Sequence, residues 1–334
     1  MHLFTILLKG AALSILLSTA PTHAFNVNSS MELSREVVTT IADVSLNENE
    51  EGDLIDAFVY ANNDNRIIKI DGTMVAEIGD LLNAKKNGWE VKLFLELLRD
   101  KETGSVFKIT AIEILSRENR LSTGLLRSSS TAFEPIVAAS KRELNSLFKA
   151  AYPYDSEFYD VNDDCFNRAQ FWSRTHQHLQ SEKGLERGTD KVFIFFSQSY
   201  TTKFNHKWWY HVAPVVYLQD KATPYVFDST FISSAVTLEQ WLATFDGHTQ
   251  GKCLKINNLE DYYKNANKAI CMYIVAPMFN YVPTDLYKSS RLNNWRCSDF
   301  RKVMGFAAPG SRTRNPSARW SDPEFKYLMP KGCQ

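Results

Sequence analysis

Asp163-Asp164-Cys165-Phe166-Asn167-Arg168-Ala169 reads as the opening of a helix with a cysteine in its first turn. Asp163 or Asp164 serves as N-cap, because a short carboxylate accepts from the unpaired N–H groups that begin a helix. Those N–H groups and the positive end of the helix dipole stabilise a thiolate at Cys165. Arg168, three residues on, shares its face and adds positive charge. Taken alone, a cysteine so placed reads more readily as a buried structural one. Two later stretches bear on the choice: Trp208-Trp209-Tyr210-His211-Val212-Ala213 supplies a histidine and Tyr225-Val226-Phe227-Asp228 an acid. Cys, His and Asp in that order are what thiol-based acyl transfer needs. The thiolate attacks, the imidazole carries the proton, and the carboxylate orients the ring.

The spacing of the second and third residues supports the functional reading. Residues 208–218 and 225–230 read as strands joined by a polar turn. Directly opposed residues of an antiparallel hairpin have a constant index sum, and pairing His211 with Asp228 puts the centre between Gln219 and Asp220, inside that turn. The two side chains are then expected opposite each other on one face, with Cβ atoms roughly 4.5–5.5 Å apart and an Nδ1–H to carboxylate bond. Strand alternation places one of Trp208 and Trp209 in the core and the other beside His211. Lys203, His206 and Lys207 read as a solvated basic loop. His176 and His178, two apart on a helix, point to different faces and cannot share a metal. With no Cys-x-x-Cys, His-Glu-x-x-His or glycine-rich phosphate loop, no metal or other cofactor is expected.

Farther out, charge and composition divide the chain. Its 38 Lys and Arg balance its 38 Asp and Glu, which gives no support to a nucleic-acid partner. Residues 25–130 nevertheless hold 18 acidic and 12 basic side chains, and residues 131–334 hold 20 and 25, so the two parts carry opposite net charge. At the N-terminus, His2 and Lys9, the apolar Ala11–Leu17 and the small-residue site Thr22-His23-Ala24 read as an export signal over 1–24. The apolar run is shorter than the roughly 20 residues of a membrane span, so a secreted protein, periplasmic or extracellular, is expected. Disulfides persist there. With Cys165 set aside as the free nucleophile, Cys253, Cys271, Cys297 and Cys333 are expected to form two bridges, their pairing open.

Residues 25–60 are polar and acidic with an amphipathic stretch at Val37–Ile41. A strand at 66–71, a helix at 74–87 capped by Gly88, and a hairpin of strands 91–97 and 106–115 make a small α+β unit over 25–120. Residues 121–134, with Leu121-Ser122-Thr123-Gly124 and Ser128-Ser129-Ser130, read as a protease-sensitive linker. The second unit, 135–334, opens with Pro135 at the N1 position of a helix carrying Ile136, Ala139, Leu144, Leu147 and Phe148. The Cys165 helix runs to about Gln180, and strands follow at 191–199, 208–218, 225–230 and 270–275. Helices followed by antiparallel strands define an α+β fold.

Asp163–Ala169, Trp208–Ala213 and Phe227-Asp228-Ser229-Thr230-Phe231-Ile232-Ser233-Ser234 together resemble the bacterial secreted protein-glutaminases. The resemblance covers roughly residues 135–300 and implies a transglutaminase-like, papain-like catalytic domain. It implies deamidation of glutamine side chains in proteins and peptides through a cysteine thioester, with Cys165 as nucleophile, His211 as general base and Asp228 as orienting acid. The family makes its enzyme behind an inhibitory pro-region, which the acidic first unit resembles in size and in strand-helix-hairpin order. The implied partners are therefore proteins with exposed glutamine and the chain's own pro-region. The chain departs at Ser229, where the family has a proline just after the acid. A transglutaminase, a cysteine protease and a non-catalytic binding or effector protein are the rival readings of the same triad.

Overall fold

Alternating strands build the N-terminal unit. The computed structural model describes residues 34–62, 64–100, 104–116, 134–151, 165–204, 206–219, 223–246, 252–278 and 280–287. Five strands, β1 (Ser34–Glu48), β2 (Leu54–Ala61), β3 (Ile68–Asp71), β4 (Glu90–Asp100) and β5 (Gly104–Ser116), close into a barrel in the order β1-β2-β3-β5-β4. Val91, Leu93 and Leu95 of β4 and Phe107 and Ile109 of β5 face inward with Ala57, Val59, Ile68 and Ile70. Helix α1 (Val75–Asn87) buries Ile78, Leu81 and Ala84, three apart along one face, and ends at Gly88 in the left-handed conformation, φ 65°. Gly72 is fixed by close approach, since a Cβ there would lie 2.2 Å from the Leu54 carbonyl oxygen.

This unit is mixed α+β as expected, but residues 34–61 are two long strands rather than a polar stretch. The buried positions of β1 include Val37, Thr39 and Ile41. A wholly buried threonine interrupts the apolar alternation, so the period of two is masked in sequence.

The second unit is a sheet covered on both faces. Its strands run in the order β12 (Val236–Thr237), β11 (Pro224–Val226), β10 (Tyr210–Leu218), β9 (Asp190–Phe196), β14 (Cys271–Pro277), β13 (Leu254–Lys255), and β7 (Val137–Ala138) pairs with β10. Lys191 to Phe196 are all buried, because β9 is central and covered on both sides. On one face Phe193 and Phe195 pack with α2 (Lys141–Ala151) and α3 (Cys165–Ser181). On the other, Val192, Ile194 and Phe196 pack with Tyr200 of α4 (Gln198–Lys203) and Trp241 and Phe245 of α5 (Leu238–Asp246). Between β13 and β14 lies α6 (Glu260–Lys264).

Pro135 is not helical. It lies in β6 (Glu134–Pro135), paired with β8 (Arg187–Gly188). Helix α2 begins instead after Ser140, whose Oγ accepts from Glu143 N–H at 3.2 Å while Glu143 reaches back to Ala139 N–H at 2.7 Å. This reciprocal cap overrides the proline signal. Residues 121–133 of the linker at 121–134 and the export signal lie outside the described residues, as do Cys297 and Cys333. Among the described residues one disulfide joins Cys253 to Cys271, and Cys165 is a free thiol. No described helix is long and apolar enough to cross a membrane.

Candidate active site

Helix α3 starts at Cys165 itself, so the thiol stands in the first turn, 1% exposed. Phe166, Ala169 and Trp172 continue its buried face, and Phe166 meets Tyr281 edge-on at 5.4 Å. The capping aspartates at 163 and 164 lie outside the described residues. Arg168 turns toward the acid rather than serving only the thiol: its Nη2 donates to Thr230 Oγ1 at 3.2 Å, and its charge acts on Asp228.

His211 and Asp228 are hydrogen-bonded and buried. The hairpin register pairs Val215 with Val226 and Val216 with Tyr225, an index sum of 441 rather than the 439 expected. Asp228 is therefore not directly opposite His211 but displaced along the hairpin, just beyond the end of β11. The slip is an even number of residues, which keeps both side chains on one face. The contacting nitrogen is Nε2, not the expected Nδ1, 2.9 Å from Asp228 Oδ2. An ionised carboxylate only accepts, so Nε2 carries the hydrogen and Nδ1 of the neutral ring is left as the basic nitrogen. Trp241 Nε1 also donates to Oδ2, at 2.8 Å, and Thr230 N–H to Oδ1 at 3.2 Å. Burial alone would raise the Asp228 pKa. The His211 charge and bond, the Trp241 bond and the Arg168 charge outweigh it and hold the carboxyl below its ordinary range. Trp208 stacks on the His211 ring at 5.9 Å, while Trp209 is fully buried in the cluster that also holds its neighbour Tyr210, so the two-residue alternation is broken just before β10.

A visitor from the barrel reaches both the thiol and the residues that lead into β10. The segment linking β2 to β3 leaves the barrel, and Asn65 Nδ2 donates to Cys165 Sγ at 3.6 Å. Its main chain is held beside the same strand: Trp209 N–H donates to Asn65 O at 2.8 Å and Ile67 N–H to Lys207 O at 3.1 Å. Asp64 and Arg66 brace the tip as a two-pronged buried ion pair, with Nε donating to Oδ1 at 2.8 Å and Nη2 to Oδ2. Burial would raise the Asp64 pKa, but the Arg66 guanidinium overcomes that and lowers it. The Arg66 guanidinium also lies 4.2 Å over the Phe107 ring. The basic loop expected to be solvated is thus partly engaged, with Lys207 holding Ile67 and the His206 ring 4.0 Å from that of Phe196.

Lys191 lies wholly buried on the α3 face, donating to the Gln170 side-chain carbonyl and to Asn280 O at 2.9 Å. Burial drives its pKa well below the usual value, opposed by the charges of Asp285 and Cys165. His176 is also buried, and burial pushes it down to about 4. Asn65, Trp241 and Lys191 are the neighbours that sequence reasoning did not single out. A lysine opening an otherwise apolar strand, Lys191-Val192-Phe193-Ile194-Phe195-Phe196, was the available signal for the last. Among the described residues no group of three or more His, Cys, Asp or Glu stands together as a metal site would require.

The chain thus sets a buried thiol at the start of a helix and, in the sheet unit, a buried hydrogen-bonded His-Asp pair. Residues 141–245, which hold Cys165, His211 and Asp228, match the family described as glutaminase. A mutant of pro-protein-glutaminase is similar in structure, with TM-score 0.50, 19% identity, and coverage of 85% of this chain and 96% of that one. The two share a fold. Pro-protein-glutaminase itself gives TM-score 0.48 at 18% identity over 85% of this chain and 97% of that one. The protein-glutaminase from Chryseobacterium proteolyticum, solved by NMR, gives 0.32 at 18% over 54% and 96%. No curated protein matches. The resemblance to the protein-glutaminases carried by the three motifs is thereby borne out.

Proposed function

We infer that the protein is a secreted protein glutaminase, made in a latent form, that converts glutamine side chains to glutamate and ammonia. Cys165, as thiolate, attacks the γ-carboxamide carbon, with its own backbone N–H among the donors to the oxyanion. Protonated His211 gives its proton to the departing nitrogen, which leaves as ammonia, and a thioester remains on Cys165. His211 then takes a proton from water, whose oxygen attacks the thioester and releases glutamate and the thiol. Asp228 keeps the imidazole in the Nε2–H tautomer and stabilises its charged form. The catalytic domain is transglutaminase-like, residues 25–120 act as an inhibitory pro-segment, and the linker at 121–134 is where it is released.

The observation that carries this reading is the Asn65 amide on the Cys165 sulfur. Its carboxamide is that of glutamine on a side chain one methylene shorter, held where a substrate amide belongs. Cys165 and His211 are each 1% exposed, a state in which no protein substrate can reach them. The net charges of residues 25–130 and 131–334, −6 and +5, favour such docking. Tethering places the inhibitory loop at an effective concentration of order mM.

The experiment is limited proteolysis within 121–134, followed by incubation with an intact protein and with free glutamine. Ammonia release should be low before the cut and rise sharply after it, with acid replacing amide by mass. Crosslinked products would identify a transglutaminase, fragments a protease, and neither a non-catalytic protein. Full activity in the uncut chain would remove the inhibitory role of the first unit.

A further inference from the structure

The barrel loop touches the cleft mainly through its own main chain. Tyr210 Oη donates to Asn62 O at 2.9 Å and Trp209 Nε1 to Asp64 O at 3.1 Å. Trp209 N–H donates to Asn65 O, and Lys207 O accepts from Ile67 N–H. Arg66 and Trp208 form an antiparallel bridge between these last two bonds. Relative to the residue whose amide meets the sulfur, the cleft reads carbonyls at −3, −1 and 0 and one N–H at +2. Side chains contribute less. Those of Asp64 and Arg66 bond each other, and Asn62 Oδ1 accepts from Thr284 N–H at 3.3 Å and Oγ1 at 3.0 Å. The geometry is strand addition at residues 207–209, in which affinity comes from backbone pairing and selectivity from the single side chain that points into the site.

We propose that the cleft accepts glutamine only within an extended segment paired antiparallel to residues 207–209, and that the segment's N–H two residues after the glutamine is required. This rests on the deamidase reading. A glutamine inside a helix has its carbonyl and the following N–H groups committed within the helix, so loops, tails and unfolded segments are the substrate class. Free glutamine offers no −1 or −3 carbonyl and no +2 N–H. Proline at +2 has no N–H to give, and Lys207 O would lose that donor. The +1 position provides an internal control, because Arg66 N–H donates to Asp64 Oδ1 at 2.9 Å and not to the cleft.

The test uses the full chain cut within 121–134 and a capped, otherwise alanine-rich peptide with one central glutamine. Ammonia release, as kcat/KM, is compared for the parent, its +2 N-methyl form, its +1 N-methyl form and its +2 proline form. An intact protein serves as a further substrate. Both +2 changes should lower kcat/KM about tenfold or more, and the +1 methyl should leave it near the parent value. Equal rates for parent and +2 forms would overturn strand recognition while leaving the deamidase standing, as would an equal loss at +1 and +2. Ammonia from none of the peptides nor from the intact protein would sink the deamidase reading, and this inference with it.

Discussion

In the barrel, the buried polar side chains gather in one place. Apart from Thr39 they are Asn62, Asp64, Asn65 and Arg66, all in the segment that leaves the barrel for the cleft. In the sheet unit they are distributed: Arg168, Gln170, Ser173 and His176 along α3, Lys191, His211 and Asp228 on or beside the strands, and Asn280 and Asp285 beyond β14. Ala42 and Tyr60 of the barrel strands join the hydrophobic core of the sheet unit, and apart from Thr39 the barrel's polar burial lies where it meets that unit. The sheet unit's polar burial is intrinsic and organises its site. Separation of the units would return the loop's polar groups to water and part Tyr60 from Trp209, which now meet edge-on at 5.3 Å, whereas the sheet unit's own bonds would persist. A cover built this way can be removed without dismantling the site beneath.

The largest expected effect lies within the intrinsic network. Asp228→Asn should lower kcat of the cut protein by a factor of order 10⁴, because an amide in place of the carboxylate favours the wrong His211 tautomer. Cys165→Ser should abolish turnover, with a melting temperature close to the parent's. Steady-state ammonia release and thermal melting check both. Near-normal turnover in Cys165→Ser would end the assignment of the site and the contrast drawn from it.

The opposite side of the contrast is tested at Asp64. Asp64→Asn removes the carboxylate that the buried Arg66 guanidinium holds in two prongs, a loss of about 3–5 kcal/mol, concentrated on the loop. The uncut variant should gain activity, while the cut variant should turn over like the parent. The pH dependence has a definite sign. The Asp64 pKa is lowered on folding from the ordinary 3.8, so its contribution is complete above that value and is lost as pH falls below it through the folded value. The difference in stability between parent and variant should therefore shrink in acid, below pH 3.8, when measured by denaturant titration. A difference that stayed constant there would mean the pair does not hold the loop.

Where residues repeat at helix or strand period, sequence was enough. Helix α1 and its Gly88 cap, the inward face of β4 and the start of α3 all follow from local pattern. The His-Asp pairing was legible only as face parity, because the register depends on a turn whose length the index sum cannot fix. β1 and β2 were hidden by Thr39 and by acidic residues on the solvent side. Asn65 carried no signal at all. An Asn-Asn-Asp-Asn run reads as any polar turn, and only tertiary contact with a cysteine 100 residues away gives it meaning.

A third, smaller effect separates scaffold from site. Cys253→Ser opens a bridge between residues 18 apart, a loop whose closure is worth about 3 kcal/mol. The bridge joins the lead-in to β13 with the first residue of β14, in the core cluster that also holds Trp241 and Phe245. Melting temperature should fall while kcat of the cut protein at low temperature stays near the parent's. A matching fall in kcat would show that the sheet edge and the site are one cooperative unit.

The smallest expected effect is also the finest probe of the intrinsic network. Trp241 Nε1 donates to the same Asp228 oxygen that His211 uses. Trp241→Phe removes that donor but retains an aromatic ring against Phe245, which it meets at 5.0 Å. A hydrogen bond to a charged group contributes about 1.5–3 kcal/mol, and two donors remain on the carboxylate, so kcat should fall by about tenfold rather than by the factor expected for Asp228→Asn. The Trp241 bond is one of the causes that hold the Asp228 pKa low. Without it that pKa rises, and the acid limb of the kcat profile should move to higher pH, the direction in which a more readily protonated carboxylate loses its hold on His211. A fall in rate with no displacement of the acid limb would assign Trp241 to packing alone. A displacement together with the fall would place it in the set of donors that keeps Asp228 ionised.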